Sequence, residues 1–141
     1  MYAPNSQTPS AVSACHETLI QHHVSAHYYI NPAGEIYQAI PDKLRAWHAG
    51  KSMMPFAHDQ REAVNDFSIG IELLGGTTEP FSDAQYDALI FLTQSLLEKH
   101  PISSIVGHDQ IAPGRKTDPG SQFRWNVLQD RFKALVFFNR M

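Results

Sequence analysis

The stretch Gly107-His108-Asp109-Gln110-Ile111-Ala112-Pro113-Gly114-Arg115-Lys116-Thr117-Asp118-Pro119-Gly120 gathers a histidine, a lysine and two aspartates among prolines and glycines. Such a segment runs over the surface, because its backbone cannot satisfy its own hydrogen bonds in a core. Lys116 and Asp118 are two positions apart, so an extended backbone would point them to the same side. The Asp118-Pro119-Gly120 turn then ends the segment. His108 follows the apolar pair Ile105-Val106, the expected end of a short strand, where α/β proteins tend to place function. These residue types admit two readings. One is metal binding or catalysis; the other is a polar loop with a lysine–aspartate pair and a hydrogen-bonded histidine.

A second feature favours chemistry. Phe67-Ser68-Ile69-Gly70-Ile71-Glu72-Leu73-Leu74 reads as a buried strand bounded by Asn65-Asp66 and Gly75-Gly76. Alternation puts Ile69, Ile71 and Leu73 on one face and Gly70, Glu72 and Leu74 on the other. Glu72 is thus a carboxylate amid apolar residues, beside a glycine that leaves open space. Burying an unpaired charge is costly, so it needs a partner, a raised pKa or a wet cavity. A structural ion pair, or a place at the sheet rim, would also satisfy it.

The elements that must hold these groups follow from pattern. Thr8-Pro9 opens a helix to about Gln21, with Val12, Cys15 and Leu19 on one face. Residues 24–40 read as a β-hairpin around the Asn31-Pro32-Ala33-Gly34 turn. Between Pro41 and Val64 there is little regular pattern, apart from Arg45-Ala46-Trp47-His48-Ala49-Gly50. There a large aromatic such as Trp47 is more often a packing residue than a ligand contact. Ser82-Asp83-Ala84-Gln85 forms a capping box, opening a helix that buries Tyr86, Leu89, Ile90, Thr93, Leu96 and Leu97 and ends near His100-Pro101. A short strand over 104–107 leads into the loop, and Trp125 to Phe138 reads as a last amphipathic helix. The expected fold is α/β: a single domain over 1–141 with a mixed central sheet and helices on its faces.

Composition bounds the rest. The chain has 141 residues, 43% of them hydrophobic and 18% charged, enough for a core and too apolar for disorder. A net charge of −3 without a dense basic tract argues against nucleic acid. No run is long enough to span a membrane, and the N-terminus lacks signal-peptide regions, so the expected setting is cytoplasmic. Cys15 is the sole cysteine and excludes an internal disulfide.

Four segments occur in order: Val24-Ser25-Ala26-His27, Ala46-Trp47-His48-Ala49-Gly50, Asn65-Asp66-Phe67-Ser68-Ile69-Gly70-Ile71-Glu72-Leu73, and the Gly107–Gly120 loop. Together they resemble the zinc-dependent N-acetylmuramoyl-L-alanine amidases of the type 2 family, in the AmpD-like branch that recycles peptidoglycan. The resemblance covers about residues 24–132, with 1–23 poorly matched. It implies that His108 and Asp118 ligate Zn2+, that Glu72 is the general base, and that Lys116 stabilises the oxyanion. It also implies hydrolysis of the amide between N-acetylmuramic or anhydro-muramic acid and L-alanine in a muropeptide or in peptidoglycan. Arg115 matches the position that holds a stem-peptide carboxylate, and Trp47 and His48 are expected in the same cleft.

The departures are also informative. The family takes its first zinc ligand from a histidine ending an N-terminal strand, a position that falls just before Met1. Two ligands are fewer than the three a catalytic zinc normally has. A start lying upstream is the favoured explanation, with replacement by His16, His22, His23 or His27, or loss of zinc, as the others. A missing strand would leave a sheet edge open to dimerisation. His23 stands where the branch favours arginine, and the segment from Gly50 to Asn65 is longer, which leaves the stem-peptide preference open. The alternative function is a metal-deficient, non-catalytic module that binds peptidoglycan peptides.

Overall fold

Strand β1 (Tyr28–Ile30) forms because three large residues, two of them aromatic and one β-branched, suit a pleated surface buried on both sides. It turns back through Asn31, whose side chain bonds the amide and carboxylate of Glu35 at 2.9 and 2.8 Å. Gly34 takes the positive φ of 83° that closes the turn. Strand β2 (Ile36–Gln38) then pairs antiparallel with β1. Strand β3 (Ile71–Leu73) pairs parallel on the other side of β1, giving a mixed sheet of order β2-β1-β3. The computed structural model describes residues 24–75 and 79–138, so the helix expected up to Gln21 lies outside the described residues.

Helix α1 (Asp83–Lys99) follows β3 in the chain. Its expected capping box is present: Ser82 Oγ accepts from the Gln85 amide at 3.1 Å, and Gln85 Oε1 accepts from the Ser82 amide at 3.0 Å. Gln85 does more than cap. Its buried amide nitrogen donates to the carbonyls of Ile30 and Leu74, at 3.2 and 2.9 Å, joining the helix start to the ends of β1 and β3. One face of the helix, with Tyr86, Leu89, Leu92 and Leu96, packs on Tyr28, Ile30 and Leu73 to form the main core. At its far end His100 Nε2 bonds Asp42 at 2.9 Å. The Tyr28 hydroxyl donates to that same carboxylate. Burial and then Asp42 push the Tyr28 phenol up to about 12.

Strand β4 (Ser104–Ile105) runs into a helical turn, α2 (His108–Ile111), so the expected loop opens with one turn of helix. Helix α3 (Trp125–Arg131) is shorter than expected. The chain leaves it at Phe132, turns, and forms β5 (Val136–Phe137), parallel to β4. The β-branched and aromatic residues of that tail prefer a pleated edge to another helical turn. The mixed central sheet β2-β1-β3 with a helix packed on it is the α/β arrangement expected, and among the described residues β4 and β5 add a separate two-stranded sheet. No helix of the described residues is long and apolar enough to cross a membrane.

Replacing Gln85 by Met keeps volume but takes the Gln85 donor from the Leu74 carbonyl and leaves the Ile30 carbonyl with the Leu74 amide alone, a loss of about 1–3 kcal/mol. Urea unfolding should show this loss for Gln85→Met and almost none for the exposed control Gln94→Met. Equal midpoints would contradict the bridging role.

Candidate active site

Register decides where Glu72 sits. It pairs with Tyr29 in the parallel ladder, so both lie on the sheet face opposite the α1 core, while Ile71 and Leu73 face the helix. This is the division expected from alternation. Gly70, two residues before Glu72, lies under the His48 imidazole; a Cβ there would come within 2.5 Å of the ring. The glycine is therefore what admits His48 to this face.

His48 reaches it because its segment is tied down from three sides. Asn65 Oδ1 accepts the amides of His48 and Ala49 at 3.1 and 2.9 Å. Ser25 exchanges hydrogen bonds with the Trp47 backbone. His27, fully buried, accepts from the Gly70 amide at Nδ1 (3.0 Å). Its other nitrogen must then carry the proton, and Nε2 donates to the Leu44 carbonyl at 2.7 Å. Both ring nitrogens are thus engaged with backbone, so His27 holds segments together and is no metal ligand here. His16, His22 and His23 lie outside the described residues.

His108, at the first turn of α2, is oriented across the molecule. Its Nε2 lies 3.1 Å from the Ala49 carbonyl, which also accepts from Arg115 at 2.7 Å. A carbonyl only accepts, so Nε2 carries a proton, and Nδ1 faces the other way. Nδ1 lies 3.3 Å from Asp118 Oδ2. Two acceptors at that separation need a cation between or beside them, either a proton or a metal ion. Histidines that bind metals commonly donate their other ring N–H to a carbonyl in this manner. The donor set therefore fits a metal. Burial alone would raise the Asp118 pKa, but hydrogen bonding to His108 helps hold the group well below the usual carboxylate range. Among the described residues no three His, Cys, Asp or Glu side chains converge as a metal cluster.

Glu72, His48, His108 and Asp118 wall one cleft of about 850 Å³. Burial, and next the neighbouring His27 and His108, push His48 down to about 4, so it is neutral at pH 7. The other expected site residues lie elsewhere. Lys116 is exposed and borders a second hollow of about 590 Å³. The amides of Arg115 and Lys116 both turn back to the Ala112 carbonyl, so the loop is coiled up to Lys116. Arg115 clamps the carbonyls of Ala49 and Lys51 at 2.7 and 2.8 Å through one terminal nitrogen. The Trp47 ring is 53% exposed under the Arg45 guanidinium, so it is no core residue. Asn65 and Ser68 were not singled out from sequence as site groups, whereas His27 was offered only as a replacement metal ligand. Asn65 and Ser68 stood inside a quoted motif, and that was the one signal available.

The profile of the family described as N-acetylmuramoyl-L-alanine amidase matches residues 2–121. The chain belongs to this amidase family. It is 48% identical over 115 residues to the 1,6-anhydro-N-acetylmuramyl-L-alanine amidase AmpD of Enterobacter cloacae, covering 80% of this chain and 57% of that protein. It is 36% identical over 129 residues to the N-acetylmuramoyl-L-alanine amidase AmiD of Escherichia coli strain K12, covering 79% of this chain and 45% of that one. The solved complex of E. coli AmiD with anhydro-N-acetylmuramic acid-L-Ala-D-gamma-Glu-L-Lys superposes with a TM-score of 0.75 at 32% identity, covering 92% of this chain and 54% of that one. A selenomethionine derivative of AmpD gives a TM-score of 0.67 at 45% identity, covering 77% and 59%. The chain thus spans little more than half the length of the AmpD proteins it matches.

The low pKa of His48 makes the stability of this amidase-family chain pH-dependent. Its folded value, about 4, lies below the ordinary 6.5, so between these the unfolded chain binds the proton better. The contribution is fully present above the ordinary value and is lost as pH falls toward the folded one. The size is on the order of 2–3 kcal/mol. Denaturant titrations across this range should show a shallower acid loss in His48→Gln than in the parent. Superimposable pH profiles would contradict the assignment.

Proposed function

We propose that this chain is a zinc-dependent N-acetylmuramoyl-L-alanine amidase acting on muropeptides. The bond cleaved joins the lactyl group of N-acetylmuramic or anhydro-muramic acid to L-alanine. The reading is carried by one observation: His108 Nδ1 and Asp118 Oδ2 lie 3.3 Å apart in a cleft that Glu72 also walls. The anhydro-muramyl substrate named for AmpD, and the ligand in the AmiD complex, support the substrate class. A cytoplasmic setting goes with the AmpD-like reading.

In this reading His108 and Asp118 hold zinc. A bound zinc would polarise the scissile carbonyl and lower the pKa of a water toward neutrality. Glu72 takes a proton from the attacking water and returns it to the leaving amine of alanine. Its position amid apolar residues of β3 suits a carboxylate that must change protonation state during turnover. Lys116 swings its flexible stem over the loop to bring an ammonium to the developing oxyanion. Arg115 donates to backbone from one terminal nitrogen, leaving another edge of its guanidinium for a stem-peptide carboxylate. Trp47 offers an exposed ring at the rim, and His48 forms the floor above Gly70.

Hydrolysis of an anhydro-muramyl tripeptide, followed by release of free L-alanine-terminated peptide, tests the activity directly. Glu72→Gln should reduce turnover by at least about a thousandfold while binding the muropeptide within a few fold of the parent. Near-parental hydrolysis by that variant would remove Glu72 from the mechanism. Metal content separates the remaining roles. Asp118→Ala should lose zinc as measured by plasma emission, and Lys116→Ala should keep it while turnover falls about a hundredfold. Equal zinc in the two variants would overturn the division between ligand and oxyanion group.

A further inference from the structure

Ser68 lies on no catalytic list, yet its single proton settles what His48 can do. Ser68 Oγ is 2.6 Å from the Val64 carbonyl. Two oxygens approach that closely only across a hydrogen bond, and the carbonyl has no proton to give. The hydroxyl proton therefore goes to Val64. Ser68 Oγ is also 3.1 Å from His48 Nε2. With its proton directed at Val64, the hydroxyl meets the ring as an acceptor, so His48 Nε2 carries the proton. The other nitrogen, Nδ1, is then a bare lone pair in the neutral ring.

Among the described residues Nδ1 has no hydrogen-bond partner, and it is not a fully buried atom lacking one. His48 lines the cleft that Glu72, His108 and Asp118 wall, and its Nδ1 is left accessible there to a donor on a bound ligand. The ring has little freedom to turn away. Gly70 lies against its Cγ, Cδ2 and Nδ1 edge, and its backbone is tied through the Asn65 side chain.

We propose that Ser68 is a positioning residue that fixes the Nε2–H tautomer of His48, so that Nδ1 accepts an amide N–H of the bound muropeptide. The proposal rests on the amidase reading for its ligand, and adds to it a donor preference. The cleft floor reads an N–H group; an ester or ether at the same place leaves the lone pair unanswered. With the other tautomer the floor would offer a donor and would prefer a carbonyl.

The test uses the chain labelled with ¹⁵N-histidine in the Glu72→Gln background, with His48→Gln used to assign the His48 ring signals. Two-bond ¹H–¹⁵N spectra should show the Nε2–H tautomer before ligand is added. Titration with anhydro-muramyl tripeptide should move the Nδ1 resonance upfield, as accepting a hydrogen bond does. Ser68→Ala should mix the tautomers and weaken binding by about tenfold, the scale of one hydrogen bond. Ser68→Thr, which keeps the hydroxyl, should restore both. A purely structural serine would leave the tautomer unchanged in Ser68→Ala. An Nδ1–H tautomer in the free protein, an Nδ1 shift produced by zinc alone, or binding by Ser68→Ala within twofold would each overturn the proposal. Failure of the amidase reading looks different: the parent chain with Glu72 intact would not hydrolyse the tripeptide. Hydrolysis without an Nδ1 shift would sink only the role of Ser68 and His48.

Discussion

The Ala49 carbonyl accepts from His108 Nε2 and from Arg115, and the chemistry of the cleft depends on that shared acceptor. Because a carbonyl cannot donate, it requires a proton on His108 Nε2 and turns Nδ1 toward Asp118. The other ring nitrogen faces the Asp118 carboxylate at 3.3 Å, a contact that a proton or a metal ion can bridge. Ala49 is fully buried, and its own amide is held by Asn65. The acceptor is therefore a fixed point, and the guanidinium of Arg115 adds positive potential beside it. Gly50, at a φ of 60°, lets the chain turn directly under that guanidinium, where a Cβ would collide at 2.9 Å.

The same device recurs across the site. His27 is fixed by an amide that can only donate and a carbonyl that can only accept; His108 is fixed by a carbonyl. A backbone group has an unalterable polarity, so an imidazole pressed against one loses its freedom of tautomer. Burying several imidazoles together would otherwise be costly, since each could charge and repel its neighbours. Backbone partners for the ring nitrogens offset part of that cost. The sheet contributes the complementary half: β3 presents Glu72 on the face bearing these rings and sends Ile71 and Leu73 into the α1 core.

Local chemistry was legible in the sequence. The hairpin, the capping box of α1 and the face on which Glu72 lies all follow from alternation, turn residues and caps, which act over a few residues. His108 and Asp118 were picked out by type within one loop, and they do meet. Lys116 shows where that reasoning stops. Its spacing from Asp118 predicts a shared side only on an extended backbone, and spacing does not report the turn at Ala112 that precedes it or the exposure of its side chain. The tail from Phe132 failed similarly, because its apolar pattern suits a helix until β4 offers an edge to pair with.

What the sequence determined by itself is thus the inventory and the local geometry: which groups can do chemistry, and which strand and helix carry them. What only the tertiary structure decided is the protonation pattern that makes them a site. His27 meets Gly70 across 43 positions of chain, His108 meets Ala49 across 59, and Arg115 meets Ala49 across 66. No periodicity reports a hydrogen bond at such separations, since pattern records which face a residue lies on and not what the chain later brings against it. Composition names the donors and acceptors; packing alone assigns each proton its place.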